Sequence, residues 1–375
     1  MSTLQPPLAR SSRPAAAHRP SGNRRLLTLV VSGALLLSAV PAPATTPSTV
    51  AETRTTAPSA AHAAASRSTP SRTIALQPAA ERMPQTWTRS FVIPYGDERE
   101  QLGTGLEGDG EGLLVGPNYG AQSARGSWWI VDTHKFRLAR YSSKGTFRQD
   151  LKIPPEHLVN GQYFPHQLPR VLNDGTFLAG VVGDGGTNLL RAKNGTIDTV
   201  QLDREVGIRT DDGRRLYGFD WEGPMIEADV TTGEVRDTNW FRTRSGDRYR
   251  VSLTAGKLRV VLPDAKRPVD RTWKLTSNRG RPIQGQVQVA SGVDGRIHLF
   301  LTGFEDRPDA PNLAGYTTIS ARGRLGLIER SLSPFGTGDP GSPSQLGVRP
   351  KRSTPWLMFV REDGVHVYQR RTGSR

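Results

Sequence analysis

Residues 126–153, GSWWIVDTHKFRLARYSSKGTFRQDLKI, decide the fold class of this protein. A hydrophobic run at 128–131 precedes an alternating run at 136–141, and a third run begins after a Ser-Ser-Lys-Gly turn at 142–145. Alternation with a period of two residues is typical of β-strands, and a short glycine-containing turn fits an antiparallel return. The stretch therefore predicts consecutive antiparallel strands.

Similar β-prone runs continue from residue 87 almost to the end of the chain, and Asn-Asp-Gly or Asp-Gly turns separate many of them. Trp129 and Phe177 occupy second-strand positions that are 48 residues apart. A repeat near this length is typical of propeller blades, and about 290 residues then give six blades. The predicted fold class is all-β, a six-bladed β-propeller, with a pair of β-sandwiches as the alternative.

Two strand assignments follow from this repeat. Residues 113–116 are the expected innermost strand of the first blade. The last unit has too few strands, and the isolated run at 91–93 is expected to pair with residues 365–369 and complete it. Such pairing closes the ring and leaves no free sheet edge, which is the usual liability of β architectures.

Residues 131–145 resemble one NHL repeat, a blade of a β-propeller. The resemblance rests on Asp132 followed by Thr, on Arg137 followed by a hydrophobic residue, on an aromatic at Tyr141 and on Gly145. It implies a propeller in which the remaining blades are degenerate copies. NHL-like propellers include both interaction platforms and enzymes, so the resemblance leaves the activity open.

The composition of the 375 residues excludes several kinds of chemistry. Forty Gly and 28 Pro, with aromatics at 7%, favour many short strands and turns. The chain has no Cys. Disulfides, a cysteine-based zinc site, a thiol nucleophile and a lipidated cysteine anchor are therefore excluded.

The first 85 residues differ from the rest. Residues 1–25 hold five Arg and no acidic residue, residues 26–40 are a 15-residue apolar run, and Ala-Pro-Ala follows at 42–44. This order predicts a secretory signal peptide at 1–44, because the run is shorter than the roughly 20 residues of a membrane span. Arg24-Arg25 resembles a twin-arginine signal, and the Sec route remains equally open. Residues 45–85, rich in Ala, Thr, Ser and Pro, are a predicted disordered linker before a β domain at 86–375.

An acidic stretch is the candidate metal site. Glu107, Asp109 and Glu111 alternate with glycines, as oxygen ligands do in the first half of a calcium loop. The pattern departs from an EF-hand, and a solvated acidic turn is the alternative. Calcium is the one cofactor that the sequence suggests.

A second candidate site lies between the first and second blades. Loops at this position line the ligand face of propellers, so Tyr163, His166 and Arg170 are predicted to contact a small ligand. The alternative is that Tyr163 and its neighbour Phe164 only cover the interface between blades.

Residues 242–281 are strongly basic. They hold twelve basic and three acidic residues, a net charge of +9, whereas the rest of the β domain nets −1. Arg248 and Arg250 alternate with apolar residues, as do Lys257 and Arg259, so each pair points to one side of its strand. This pattern predicts a surface that binds polyanions. A solvated basic rim is the alternative, and the packing of blade faces against each other leaves little room for a charged face.

The predicted function is that of a secreted β-propeller, either free outside the cell or associated with the cell wall, that binds an extracellular anionic polymer, polysaccharide or protein. It is expected to be a monomer without a membrane span in its mature form, and nucleic acid is not the expected partner. The alternative is an extracellular hydrolase or lyase with a metal at the propeller axis, which would need His, Asp or Glu clustered there. No serine nucleophile motif, paired-carboxylate signature or cofactor fingerprint stands out in the sequence.

Overall fold

The computed structural model describes residues 72–78, 83–106, 114–115, 117, 119–155, 169–183, 186–220, 223–305, 312–330, 345–361 and 363–371. They belong to one compact unit, Ala63–Arg375. The elements assigned in these ranges are strands, arranged in six sheets of four or five strands and one two-stranded ribbon. The protein is thus an all-β, six-bladed β-propeller, as the sequence predicted. Within the described ranges, no helix has the length and hydropathy needed to cross a membrane.

Four strands precede the first complete blade: β1 (Arg72–Leu76), β2 (Trp87–Pro94), β3 (Gly105–Leu106) and β4 (Leu114–Val115). The strands of blade 1 are β5 (Tyr119–Gln122), β6 (Trp128–Asp132), β7 (Arg137–Tyr141) and β8 (Phe147–Lys152). Blade 2 comprises β9 (Arg170–Val171), β10 (Phe177–Gly183), β11 (Gly186–Lys193) and β12 (Thr196–Gln201). Blade 3 comprises β13 (Val206–Asp211), β14 (Arg215–Asp220), β15 (Met225–Asp229) and β16 (Val235–Asp237).

The other three blades follow in the same order, from the axis outward. Blade 4 comprises β17 (Phe241–Arg242), β18 (Arg248–Thr254), β19 (Lys257–Leu262) and β20 (Val269–Ser277), with β1 added at the outer edge. Blade 5 comprises β21 (Gln284–Ser291), β22 (Ile297–Phe304), β23 (Leu313–Ile319) and β24 (Glu329–Arg330). Blade 6 comprises β25 (Gln345–Val348), β26 (Pro355–Arg361) and β27 (Gly364–Arg370), with β2 outermost.

The two ends of the domain close the ring in the predicted way. Strand β2 pairs antiparallel with β27, so that Phe91 lies opposite Val367 and Ile93 lies opposite Val365. The N-terminal strand is therefore the outer edge of the blade that the C-terminal strands build. The predicted pairing of residues 91–93 with 365–369 is confirmed.

Two sequence assignments need correction. Residues 113–116 are not the innermost strand of blade 1, because β4 pairs with β3 and the innermost strand is β5. Strand β1 lies inside the predicted linker 45–85 and pairs in parallel with β20. Its alternation buries Ile74 (2% exposed) and Leu76 (0%), which the average composition of the linker concealed.

The segment after β1 follows the outside of blade 5. Pro78 forms a bridge to Leu313, and the Gln77 carbonyl accepts a hydrogen bond from the Ala314 amide at 3.3 Å. At the start of β2, Glu329 of blade 5 accepts from Thr86 Oγ1 at 3.0 Å and from Trp87 Nε1 at 3.1 Å. The N-terminal segment thus contacts the outer parts of blades 4, 5 and 6.

Aromatic side chains fill the spaces between blades. The Trp128 and Trp356 rings meet edge to face at 4.9 Å between blades 1 and 6, and Trp87 meets Tyr316 at 5.0 Å between blades 6 and 5. Such pairs add to the apolar area that each contact buries. These tryptophans are therefore part of the interblade core.

The residues that resemble an NHL repeat form a buried ion pair. Arg137 Nε donates to Asp132 Oδ2 at 2.9 Å, and the two side chains are 5% and 0% exposed. Arg137 also donates to Asp150 and to the carbonyls of Arg99 and Gln101, while Asp132 accepts from the Gly103 amide. These hydrogen bonds therefore hold the segment that follows β2 against blade 1.

Candidate functional sites

A small cavity lies at the propeller axis, where the innermost strands of the blades end. Its volume is about 30 Å³. Gln122, Asp211 and Ser291 are the last residues of β5, β13 and β21. Each blade contributes to the wall a residue that carries a polar group, in blade order Gln122, Arg170, Asp211, Arg244, Ser291 and Trp356.

Two arginines share one carboxylate in this wall. Arg244 Nη2 lies 2.5 Å from Asp211 Oδ1, and Arg170 Nε lies 3.5 Å from Asp211 Oδ2. The three side chains are only 5% (Arg244), 7% (Asp211) and 11% (Arg170) exposed. Burial lowers the pKa of Arg170 from its ordinary value; the Asp211 carboxylate opposes this shift and the Arg244 guanidinium adds to it.

The structure places the predicted small-ligand residues as follows. Arg170 lies in the wall of the axial cavity. Tyr163 and His166 lie outside the described residues, so their place beside Arg170 stays a prediction. Arg244 belongs to the basic segment 242–281 but lies at the axis, where its guanidinium donates to the Val171 carbonyl at 2.9 Å. The prediction that this whole segment forms one surface is therefore wrong for Arg244.

The four basic residues singled out in blade 4 share one face of its sheet. Ser252 lies opposite Arg259, and Thr254 lies opposite Lys257. Residues that lie opposite each other share a face of the sheet, and so do residues two positions apart on one strand. Arg248 and Arg250 therefore point to the same side as Lys257 and Arg259. Lys274 of β20 joins them because it lies opposite Lys257. We call this surface the basic face, consisting of Arg248, Arg250, Lys257, Arg259 and Lys274.

The basic face is open because blade 4 packs asymmetrically. Its other face buries Leu258, Val260 and Trp273 against Ile297 and Leu299 of blade 5. Blade 3 contacts blade 4 at β17, the strand nearest the axis. The outer strands of blade 4 therefore keep one face accessible. A charged face can exist there even though the blades of a propeller usually pack against each other on both faces.

Two carboxylates neutralise part of the basic face. Arg248 Nη2 lies 2.6 Å from Asp264 Oδ1, and Arg259 Nη2 lies 2.6 Å from Asp270 Oδ2. Hydrogen bonds from Arg248 lower the pKa of Asp264 to about 2, and the hydrogen bond from Arg259 lowers the pKa of Asp270. Both acids therefore stay ionised at neutral pH.

The remaining cations of the face lack such acids. Lys257 and Lys274 lie directly opposite each other on neighbouring strands, and both are exposed. Neither forms an ion pair with any residue in the described part of the chain. The Arg250 guanidinium lies 5.2 Å from the centre of the Trp240 ring and donates to the Asn239 carbonyl at 2.7 Å. With five cations and two acids, the face keeps a net positive charge.

The predicted calcium ligands Glu107, Asp109 and Glu111 lie outside the described residues, and calcium binding there stays a prediction. Where the structure does describe the chain, no three His, Asp or Glu side chains form a group that could hold a metal ion.

A buried histidine in blade 5 gives a pH test of the core. His298 is 2% exposed, its Nδ1 lies 2.7 Å from Tyr316 Oη, and burial lowers its pKa from 6.5 to about 3. The unfolded chain binds this proton near pH 6.5, so the folded state loses stability as the pH falls from there towards 3.

We expect His298→Gln to remove this dependence. Between about pH 6 and pH 4, the free energy of unfolding of the wild type should fall about 1.4 kcal/mol per pH unit more steeply than that of the variant. Urea unfolding across the pH series measures both slopes. Equal slopes would contradict a neutral His298 in the folded state.

Sequence reasoning included Lys274 in the basic segment 242–281 but did not single it out beside Lys257, although Lys274 lies between Trp273 and Leu275 in an alternating run. It missed Asp211 and the axial position of Arg244. Asp211 ends a strand before an Asp-Gly turn, a position shared by many solvated turn residues. No local pattern distinguishes it.

The fold and its sites define the class of protein: a six-bladed β-propeller with a charged axial cavity and one open basic blade face. The chain belongs to the family described as Domain of unknown function (DUF7485), whose model matches residues 85–370. A comparison with curated protein sequences finds no match. Neither of these comparisons shows an NHL repeat, so the repeat that residues 131–145 resemble stays a prediction.

Several solved structures are similar to this chain in fold. Virginiamycin B lyase from Staphylococcus aureus is 10% identical, with 68% of this chain and 94% of that chain covered and a TM-score of 0.34. The calcium-binding protein regucalcin from Agrobacterium tumefaciens is 12% identical (68% and 90% covered, TM-score 0.38). The PQQ-bound aldose sugar dehydrogenase from Streptomyces coelicolor is 12% identical (77% and 99% covered, TM-score 0.39). Likeness at these scores supports no inference about function.

Proposed function

We propose that this propeller is a binding module that holds an anionic polymer on the basic face of blade 4. The observation that carries the proposal is the pair Lys257 and Lys274, two exposed cations opposite each other that no carboxylate of the described residues accompanies. Like charges directly opposite on neighbouring strands destabilise a sheet. An anionic group bound between them would relieve that repulsion.

The surroundings of the pair support a polymer over a single small anion. Arg259 lies on the same strand as Lys257, and Arg248 and Arg250 continue the positive charge onto the neighbouring strand β18 of the same face. A concentrated positive field attracts a chain of regularly spaced anions more strongly than a dispersed one does. Trp240, beside Arg250, adds an aromatic surface at the edge.

The chemistry of the ligand follows from where the chain is expected to act. The N-terminal pattern predicts export, and anionic polymers outside a cell carry phosphate, sulfate or carboxylate groups. We therefore propose a wall-type phosphate polymer or an acidic polysaccharide as the ligand class. The hydrolase or lyase alternative, with a metal at the axis, stays a prediction of the sequence.

The test is a charge-matched comparison on a polyanionic resin. Lys257→Gln with Lys274→Gln removes two charges from the basic face. Lys144→Gln with Arg322→Gln removes two charges from exposed turns of blades 1 and 5 and is the control. We expect the first double variant to elute at clearly lower salt than the wild type, and the control to elute close to it.

Affinity for soluble polyphosphate, measured at several salt concentrations, makes the test quantitative. Each lost cation–anion contact should reduce the slope of log affinity against log salt by roughly 0.7 to 0.9. If both double variants elute together and have the same slope, net charge alone explains the retention and the proposal is wrong.

A further inference from the structure

The N-terminal strand β1 is an addition to blade 4. It pairs in parallel with β20 as the fifth strand of that sheet, whereas the sheets of the other blades have four described strands. It also lies outside residues 85–370, the range that the family model matches. Ile74 and Leu76 anchor it, because both side chains are buried in the same core cluster as Trp273 and Leu299. One side of β1 is therefore committed to packing, and its other side is exposed at Thr73.

The exposed side of β1 continues the basic face. Thr73 of β1 lies opposite Lys274 of β20. Lys274 lies opposite Lys257 of β19, which in turn lies opposite Thr254 of β18. Residues that lie opposite each other share a face of the sheet, so these four exposed side chains form one row across four strands. We call them the lysine row, which is roughly 14 Å long because neighbouring strands lie about 4.8 Å apart.

The lysine row consists of hydrogen-bond donors that suit an anion. A lysine ammonium has donors and no acceptor, and a threonine hydroxyl donates through its O–H. Neither the Thr73 nor the Thr254 hydroxyl has a hydrogen-bond partner among the described residues, so both can donate to a ligand. A polymer that crosses the strands along the row would therefore meet a hydroxyl on either side of the two lysines.

Strand β1 is expected to open more easily than the strands beside it. It is the edge strand of its sheet, so hydrogen bonds to a neighbouring strand hold it on one side only. Such segments open locally at free energies below that of global unfolding. Opening takes Thr73 away from Lys274. A ligand that contacts both residues binds the docked form of β1 more tightly than the open form, and it therefore favours docking.

We propose that β1 completes the polymer site on the basic face, so that polymer binding and the docking of β1 strengthen each other. This inference rests on the proposed function and adds the N-terminal strand to the site on blade 4. The coupling is reciprocal, because the factor by which the polymer favours docking is the factor by which docking favours the polymer.

Hydrogen exchange of the full chain tests the coupling without any variant. Saturating soluble polyphosphate should slow amide exchange in residues 72–77 roughly fivefold or more, compared with sodium chloride of equal ionic strength. Strand β12, the outermost strand of blade 2, is the internal control. Its amide exchange should not change.

A single substitution tests the contact of β1 with the ligand. Thr73→Val keeps the shape of the side chain and its preference for strands but removes the hydroxyl. We expect its affinity for polyphosphate to fall roughly tenfold, because hydrogen bonds to charged groups are among the stronger ones. The matched control is Thr199→Val, which changes an exposed threonine of β12 and should bind as the wild type does.

The outcomes separate this inference from the proposed function. Slower exchange in β1 with polyphosphate, together with weaker binding by Thr73→Val than by Thr199→Val, supports it. Unchanged exchange in β1, or equal affinity of the two threonine variants, overturns it; if Lys257→Gln with Lys274→Gln still weakens binding, the proposed function stands. Polyphosphate binding that this lysine double variant leaves unchanged overturns both.

Discussion

Deleting residues 366–375 is expected to abolish cooperative folding of the whole domain. The deletion removes most of β27, which lies between β26 and β2 in blade 6. Val367 is fully buried there, and Phe91 loses its strand partner. Two unpaired strand edges and an open ring would result, whereas the native stability of a domain is only about 5–15 kcal/mol. Fraying of one end is therefore not the expected result.

The deletion also removes a contact between blades. Arg370 Nη2 lies 2.5 Å from Glu329 Oε1, the residue that accepts hydrogen bonds from Thr86 and Trp87. The matched control removes only residues 372–375 and keeps all of β27. Thermal unfolding followed by circular dichroism should show no cooperative transition for the first protein and an unchanged one for the control. An unchanged melting temperature in the first deletion would refute ring closure as a source of stability.

Arg137→Met is expected to destabilise the domain by about 3–5 kcal/mol, because it leaves the Asp132 carboxylate buried without its counter-charge. Asp132 is fully buried, and Arg137 is its ion-pair partner. Methionine keeps much of the length of the side chain, so lost packing contributes little. The free energy of unfolding from urea titration measures the loss.

Arg99→Ala is the control for this variant. Arg99 also pairs with an acid, Asp150 at 2.9 Å, but its side chain is 72% exposed. Exposed ion pairs contribute little to stability because water screens them, so the control should remain close to the wild type. Similar losses of unfolding free energy in the two variants would show that the contribution of the Asp132–Arg137 pair does not depend on its burial.

Long alternating strands and glycine turns were predictable from the sequence. The runs around Trp129 and Phe177 are second strands of blades 1 and 2, as their spacing indicated. The closing strand at 91–93 was predictable because the last unit lacked one strand. The innermost strands β13 and β25 were missed, and residues 113–116 were assigned in place of β5. Strands such as YGAQ in β5 and QLGV in β25 are short and lack clean alternation, so local pattern does not mark them.

By itself, the sequence determined the fold class and the excess of positive charge in blade 4, because alternation, turn glycines and charge are local properties of the chain. Only the tertiary structure decided which charges act together. Arg170, Asp211 and Arg244 come from three blades and meet because ring closure brings the ends of the innermost strands to one axis. Lys274 joins Lys257 through strand register, and the basic face is open because blade 3 packs against β17. Register, closure and blade packing are set by contacts between residues far apart in the chain, which local sequence patterns do not encode.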